Sequence, residues 1–180
     1  DLSDLLAKIK STDPAKFPST SLDKEAPIYV LEIAYKTDAA HRIISRIKKS
    51  RIRYRSFDPR ELSRLSTIEA YRNVASSAAI IVHLLSTQST DHYVNNQRGA
   101  FLAGLAYGLG KVCLILQEGQ EPVPLDYRDF AKSYKDPSEI DKYINELAPQ
   151  VMDALQGGND SADPKLDSIL ATLDLGATAA

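Results

Sequence analysis

The residues best placed for chemistry lie in a polar run that leads into a helix of small residues, "STQSTDHYVNNQRGAFLAGLAYGLGK", residues 86–111. Asn95, Asn96, Gln97 and Arg98 stand directly before Gly99. At the start of a helix they would set amides, a guanidinium and free backbone N–H groups at the positive end of the dipole, an arrangement that accepts a phosphate or ribose. Tyr35 and Lys36, at the end of the first expected strand, and Ser86, after the third, complete the expected ligand-binding set: Tyr35, Lys36, Ser86, Asn95, Asn96, Gln97, Arg98 and Gly99.

Catalytic acids are harder to place. The helix that follows Arg98 carries none. Asp58, Asp91 and Glu118, at expected strand ends, are the acids that would have to act if the protein is a catalyst. Asp58 sits in "FDPRE", where Asp-Pro forms turns, and Asp38 suits a helix cap. Glu32, inside a strand, needs a cationic partner, for which Arg55 and Lys36 are candidates. His83 reads as a satisfied core histidine. His92 has no second ligand at metal spacing, so no metal site is expected. In "PLDYRDFAKSY", Asp126, Arg128 and Asp129 read as a self-paired surface loop. No Ser–His–Asp order, P-loop or G-x-G-x-x-G occurs.

The elements that position these residues alternate. "PIYVLEIAY" (27–35), "RIRYRSF" (51–57), "AIIVHLLS" (79–86), "KVCLILQ" (111–117) and "FAKSY" (130–134) read as strands. Between them lie a helix over "TDAAHRIISRIKKS", capped by Thr37 or Asp38, and one over "LSTIEAYRNVASSA", capped by Ser66 or Thr67. A third helix follows Arg98, and a last, "SEIDKYINELAPQVMDALQ", crosses a proline. Such alternation predicts a parallel sheet covered on both faces. Arg51, Arg53 and Arg55 alternate with Ile52 and Tyr54, so the second strand belongs at an edge. The result is an α/β, flavodoxin-like three-layer sandwich: a five-stranded parallel sheet of order 2-1-3-4-5 with helices on both faces. Its ligand crevice lies between the carboxyl ends of strands one and three.

Two stripes of small residues mark the third helix: Gly99, Ala103, Ala106 and Gly110, and Ala100, Gly104 and Gly108. Glycine inside a helix costs about 1 kcal/mol against alanine. The expected reason is close packing on the sheet or on another helix.

Flanking segments differ in character. Residues 1–26 read as a short amphipathic helix (Leu2, Leu5, Leu6, Ile9) and a Pro/Ser/Asp linker, residues 27–156 as the domain proper, and residues 157–180 as a linker and the start of a further segment. The chain opens on Asp1 and its one methionine is Met152, so a fragment of a longer protein is expected.

Composition narrows the classes. A net charge of −2 argues against nucleic acid as partner. Residues 41–65 nevertheless hold nine Lys/Arg against two acids, read as a solvated basic face. One cysteine excludes a disulfide framework and fits a cytoplasmic setting. No apolar run reaches the ~20 residues of a membrane span, so no membrane partner is expected.

"SFDPREL", "STIEAYRNVASSAAIIVHLLS" and "GLAYGLGKVCLIL" resemble the nucleoside 2-deoxyribosyltransferase family and its relatives, the Toll/interleukin-receptor-like (TIR) NAD-cleaving domains. The resemblance covers about residues 27–156. It implies the same fold and a glutamate two residues before the helix glycine, acting on an N-glycosidic bond. With Gly104 as that glycine the position is Leu102, and neighbouring alignments give Phe101 or Ala103; none is an acid. The expectation is therefore a non-catalytic, nucleotide-ligand-sensing or signalling and assembly domain of a multidomain protein. It carries no resident cofactor, takes a nucleotide or NAD-derived ligand, and has the other domains of its chain, or further copies of itself, as partners. "ILATLDLGATAA" resembles the lead-in to a P-loop ATPase module. The alternatives are an NAD- or nucleoside-cleaving enzyme and a pure oligomerisation module.

Overall fold

The computed structural model of the protein describes residues 20–120 and 125–157. The amphipathic segment expected at residues 1–10 and the segment beyond 157 lie outside them.

Five strands, β1 (Ile28–Leu31), β2 (Tyr54–Phe57), β3 (Ala79–Leu84), β4 (Val112–Glu118) and β5 (Ala131–Tyr134), pair in parallel in the order β2-β1-β3-β4-β5. Helices α1 (Asp38–Lys49), α2 (Thr67–Ala75), α3 (His92–Gly108) and α4 (Ile140–Gly157) cover the two faces. Every residue of β1 and β3 is buried, as a doubly covered sheet requires. Side-chain alternation divides the core. Ile28, Val30 and Ile81 pack under α1 and α4, whereas Tyr29, Leu31, Ile80 and Val82 pack under α2 and α3.

The edge position of β2 agrees with the arginine pattern, but the strand is shorter than that pattern. Arg51 has a positive φ of 60° and Arg53 bonds Glu25 ahead of the strand. Only Arg55 lies in the ladder. Its guanidinium crosses to the C-terminal end of α2, donating to the Asn73 carbonyl and to Ser76 and Ser77 Oγ. Likewise β1 stops at Leu31, and residues 32–37 form a loop over the end of the sheet.

α1 begins at a cap of the Thr37 hydroxyl, which accepts from Ala40 N at 3.2 Å. Its Arg42 makes a two-pronged bond to Asp141, joined by Arg46, and ties α1 to α4. α3 closes in a Schellman turn: Lys111 N–H reaches the Ala106 carbonyl, Gly110 N–H the Tyr107 carbonyl, and Gly110 takes φ 63°. The Gly–Lys pair of the sequence is that turn.

The small residues of α3 are not all explained by packing. A Cβ on Gly99 would lie 2.7 Å from Val82 Cγ1, so glycine sets the distance of helix to sheet there. Gly104 and Gly108 have nothing within 4 Å, and no contact in the structure accounts for them. No helix among the described residues is long and apolar enough to cross a membrane.

Candidate functional site

Where β1 and β3 diverge, the loops after β1, β2 and β3 enclose a cleft of about 470 Å³. It sits at the topological switch point of the sheet, where open α/β folds place ligands. Tyr35, Ser63, Leu85, Asp91, Asn95 and Arg98 are among its walls. Of the expected binding set, Tyr35, Asn95 and Arg98 meet here. Lys36 faces a second cavity on the other side of the loop, and Ser86, Asn96, Gln97 and Gly99 line neither.

The main departure from the sequence reading is the start of α3. Residues 95–98 do not precede the helix but form part of its first two turns, because it begins at His92 with Asp91 at the N-cap. The amides of Asn95 and Asn96 serve the scaffold. Asn95 Nδ2 donates to the His83 carbonyl at 2.7 Å. Asn96 takes both backbone groups of Leu85, accepting its N–H and donating to its carbonyl. Together they pin the first turns of α3 to the end of β3, where the ladder leaves backbone groups to satisfy. Gln97 points into solvent, and Gly99 is buried against Val82.

Arg98 is held from two sides. Its Nη2 donates to the Ser63 carbonyl at 2.7 Å, and its Cζ lies 5.1 Å from the centre of the Phe57 ring. One bond leaves most of its five N–H donors for the cleft. The two helix ends that border the cleft differ. α1 has a hydroxyl cap and Asp38 in its first turn. α3 has neither: its N-cap Asp91 makes no side-chain cap bond and its first turn carries no acid. α3 thus begins without a side-chain cap bond, with the Asp91 carboxylate beside its first turn.

The candidate catalytic acids do not converge. Asp58 is gripped by Arg60, which donates through both its backbone N–H and its guanidinium, and this holds the Asp58 carboxyl below the usual range. Glu32 pairs with that same Arg60 at 3.0 Å, not with Arg55 or Lys36. Glu118 accepts the Ser86 N–H. Asp91 is the one acid among the cleft's walls. At the positions the family resemblance points to, Leu102 and Ala103 are buried in the core while Phe101 is 40% exposed.

His83, read as a satisfied core residue, is half satisfied. It is 2% exposed; Nε2 meets the Tyr134 hydroxyl at 2.6 Å, and Nδ1 has no partner. Burial pushes its pKa down to about 4. That value lies below the 6.5 of an ordinary histidine, so between the two the unfolded chain binds a proton that the folded protein refuses. Stability should therefore fall as pH drops from 6.5 towards about 4 and stop responding to this group below that. Denaturant titrations at steps through this window should show a shallower slope for His83→Phe. Equal slopes would contradict the assignment.

No protein-family model matches the chain, and no curated protein matches it by sequence. Similar solved structures include the following two. A flavoprotein from Thermotoga maritima superposes with a TM-score of 0.52 at 13% identity over 84% of this chain, which spans 41% of that protein's length. A flavodoxin-like domain from a Synechococcus protein gives 0.44 at 14% identity, over 82% of this chain and 99% of that domain. With the strand order, the likeness places the protein among α/β proteins of flavodoxin-like fold.

Proposed function

We propose that the domain is a non-catalytic binding module for a nucleotide-type ligand, held in the switch-point cleft. The reading is carried by one observation: a helix start with no side-chain cap bond and a pre-positioned guanidinium border the same cleft. Arg98 would take the phosphate, Asp91 would accept from ribose hydroxyls, and Tyr35, 61% exposed, would cover the base. A TIR-like or deoxyribosyltransferase-like ancestry is compatible with this cleft, but glycosidic cleavage is not part of the proposal. Phe101, Leu102 and Ala103 offer no nucleophile, and Asp58 is committed to Arg60.

The Thermotoga protein's name raises a flavin. A flavin mononucleotide with its phosphate against α1 does not fit, since the Thr37 hydroxyl is already the cap and Asp38 repels an anion there. Self-association is a second reading, favoured by the exposed Tyr93, Val94, Phe101 and Tyr107 on α3.

A thermal-shift panel of ATP, ADP, NAD and flavin mononucleotide tests the proposal. At least one nucleotide should raise the melting temperature of the wild type, as ligand binding to the native state requires. Arg98→Ala should weaken that binding about 10- to 150-fold, the loss of ~1.5–3 kcal/mol for a charge-assisted hydrogen bond. A flat panel with concentration-dependent association would favour the assembly reading, and nicotinamide released from NAD would favour catalysis.

A further inference from the structure

The second cavity, of about 300 Å³, lies between α1 and the sheet. That is the lower end of the range for small-molecule sites. The loop at residues 32–37 separates it from the switch-point cleft, and Ile33 faces both. Val30, Ile43, Ile44 and Tyr54 make its walls apolar. His83 is its one deep polar side chain, and Lys36 and Lys48 stand among its lining residues from the loop and from α1.

The histidine is one of the residues that line this space. Tyr134, on β5, holds Nε2 from the β4 side of β3, whereas the cavity lies over β1 on the opposite side. The two ring nitrogens point nearly opposite ways, so the unpartnered Nδ1 is directed towards β1. Its chemistry depends on the tautomer. If Tyr134 donates to Nε2, Nδ1–H is a donor; if Nε2–H donates to Tyr134, Nδ1 is an acceptor. A hydroxyl satisfies either case.

Charge is distributed to match. Burial keeps the imidazole neutral at pH 7, so the floor favours an uncharged group over an ionised one. Arg60 is shared between Glu32 and Asp58, and Lys36 lies within electrostatic reach of Asp58, but Lys36 and Lys48 form no ion pair among the described residues. We propose that this cavity binds a small organic acid with an apolar body, its uncharged hydroxyl tip on His83 and its carboxylate on Lys36 and Lys48. The site is independent of the nucleotide cleft, so each proposal can fail without the other.

4-Hydroxybenzoate has this layout, and benzoate lacks only the tip. NMR titration of the wild-type protein with each should show 4-hydroxybenzoate binding about tenfold more tightly, the effect of one net hydrogen bond. The shifts should fall on the His83 ring and the Ile43 and Ile44 methyls. His83→Phe should bind both acids equally, and the double variant Lys36→Ala, Lys48→Ala should weaken both while keeping the hydroxyl preference. Three results would overturn the proposal: equal affinities in the wild type, shifts confined to Val94 and Arg98 across the loop, or no shift up to the solubility limit. The wild-type comparison decides the question even if a variant fails to fold.

Discussion

Leu102→Glu should unfold the domain instead of supplying the missing acid. Leu102 is 0% exposed and packs with Leu31, Val82 and Ala106 in the core between α3 and the sheet. A carboxylate there would lose its hydration with no cation to replace it. The group would be driven to its neutral form, and even that form would leave buried polar atoms unpaired. Together with the lost packing of leucine this costs several kcal/mol, a large share of the ~5–15 kcal/mol that hold a typical domain. Phe101→Glu places the same group one residue earlier, at a position 40% exposed, and should cost about 1 kcal/mol or less. Circular-dichroism melts of the two variants, with a nicotinamide-release assay, test this directly. A folded Leu102→Glu with wild-type melting, or one that cleaves NAD, would show that the helix presents this position to the cleft and not to the core.

The architecture was legible because it is written in patterns that burial enforces. β1 and β3 are covered on both sides, so their residues are apolar apart from His83, and an edge strand can carry an arginine as β2 carries Arg55. The ends of elements were less legible. The alternation of 51–57 suggested a seven-residue strand, but Arg51 turns with positive φ, and a side-chain pattern does not report that. The start of α3 was missed for a related reason. Its buried stripe is Asn95, Gly99, Leu102, Ala103 and Ala106, which begins on a polar residue and a glycine, so apolar periodicity appears only after the second turn. Asp91 was the available signal, as an N-cap type eight residues ahead of the expected start at Gly99.

The site was legible in place but not in detail. The strand order alone set the crevice between β1 and β3, and Arg98 and Tyr35 do face it. Asn95 and Asn96 carry amides as suited to a loop backbone as to a ligand, and the choice depends on where Leu85 and the His83 carbonyl lie. Arg60 was missed because its partners Glu32 and Asp58 come together only when β1 and β2 pair. His83 belongs to the core, as an apolar-flanked strand position suggests. Its open nitrogen follows from the position of Tyr134, 51 residues away, which no local pattern encodes.

Substituting two glycines of one helix should move stability in opposite directions. A Cβ at residue 99 would lie 2.7 Å from Val82 Cγ1 and 3.1 Å from Leu84 Cδ2. Val82 is 0% exposed and β-branched, so it has little freedom to turn away. Either its rotamer is forced or α3 lifts from β3, at the ~1–3 kcal/mol of overpacking. Alanine at 99 recovers up to about 1 kcal/mol of helix propensity, so Gly99→Ala should be mildly destabilising. Gly99→Val adds two methyls at the same contact and should lose the full overpacking cost or more. Lifting α3 would also strain the bonds of Asn95 and Asn96 to the end of β3, so loss of order at the cleft should accompany it. Gly104 has nothing within 4 Å, and Gly104→Ala should gain ~0.5–1 kcal/mol from backbone entropy alone. Calorimetric melting of the three variants reads these differences at roughly 2–8 °C per kcal/mol. If Gly99→Ala melts at or above the wild type, α3 does not rest on Val82 as described, and the glycine at 99 has another cause.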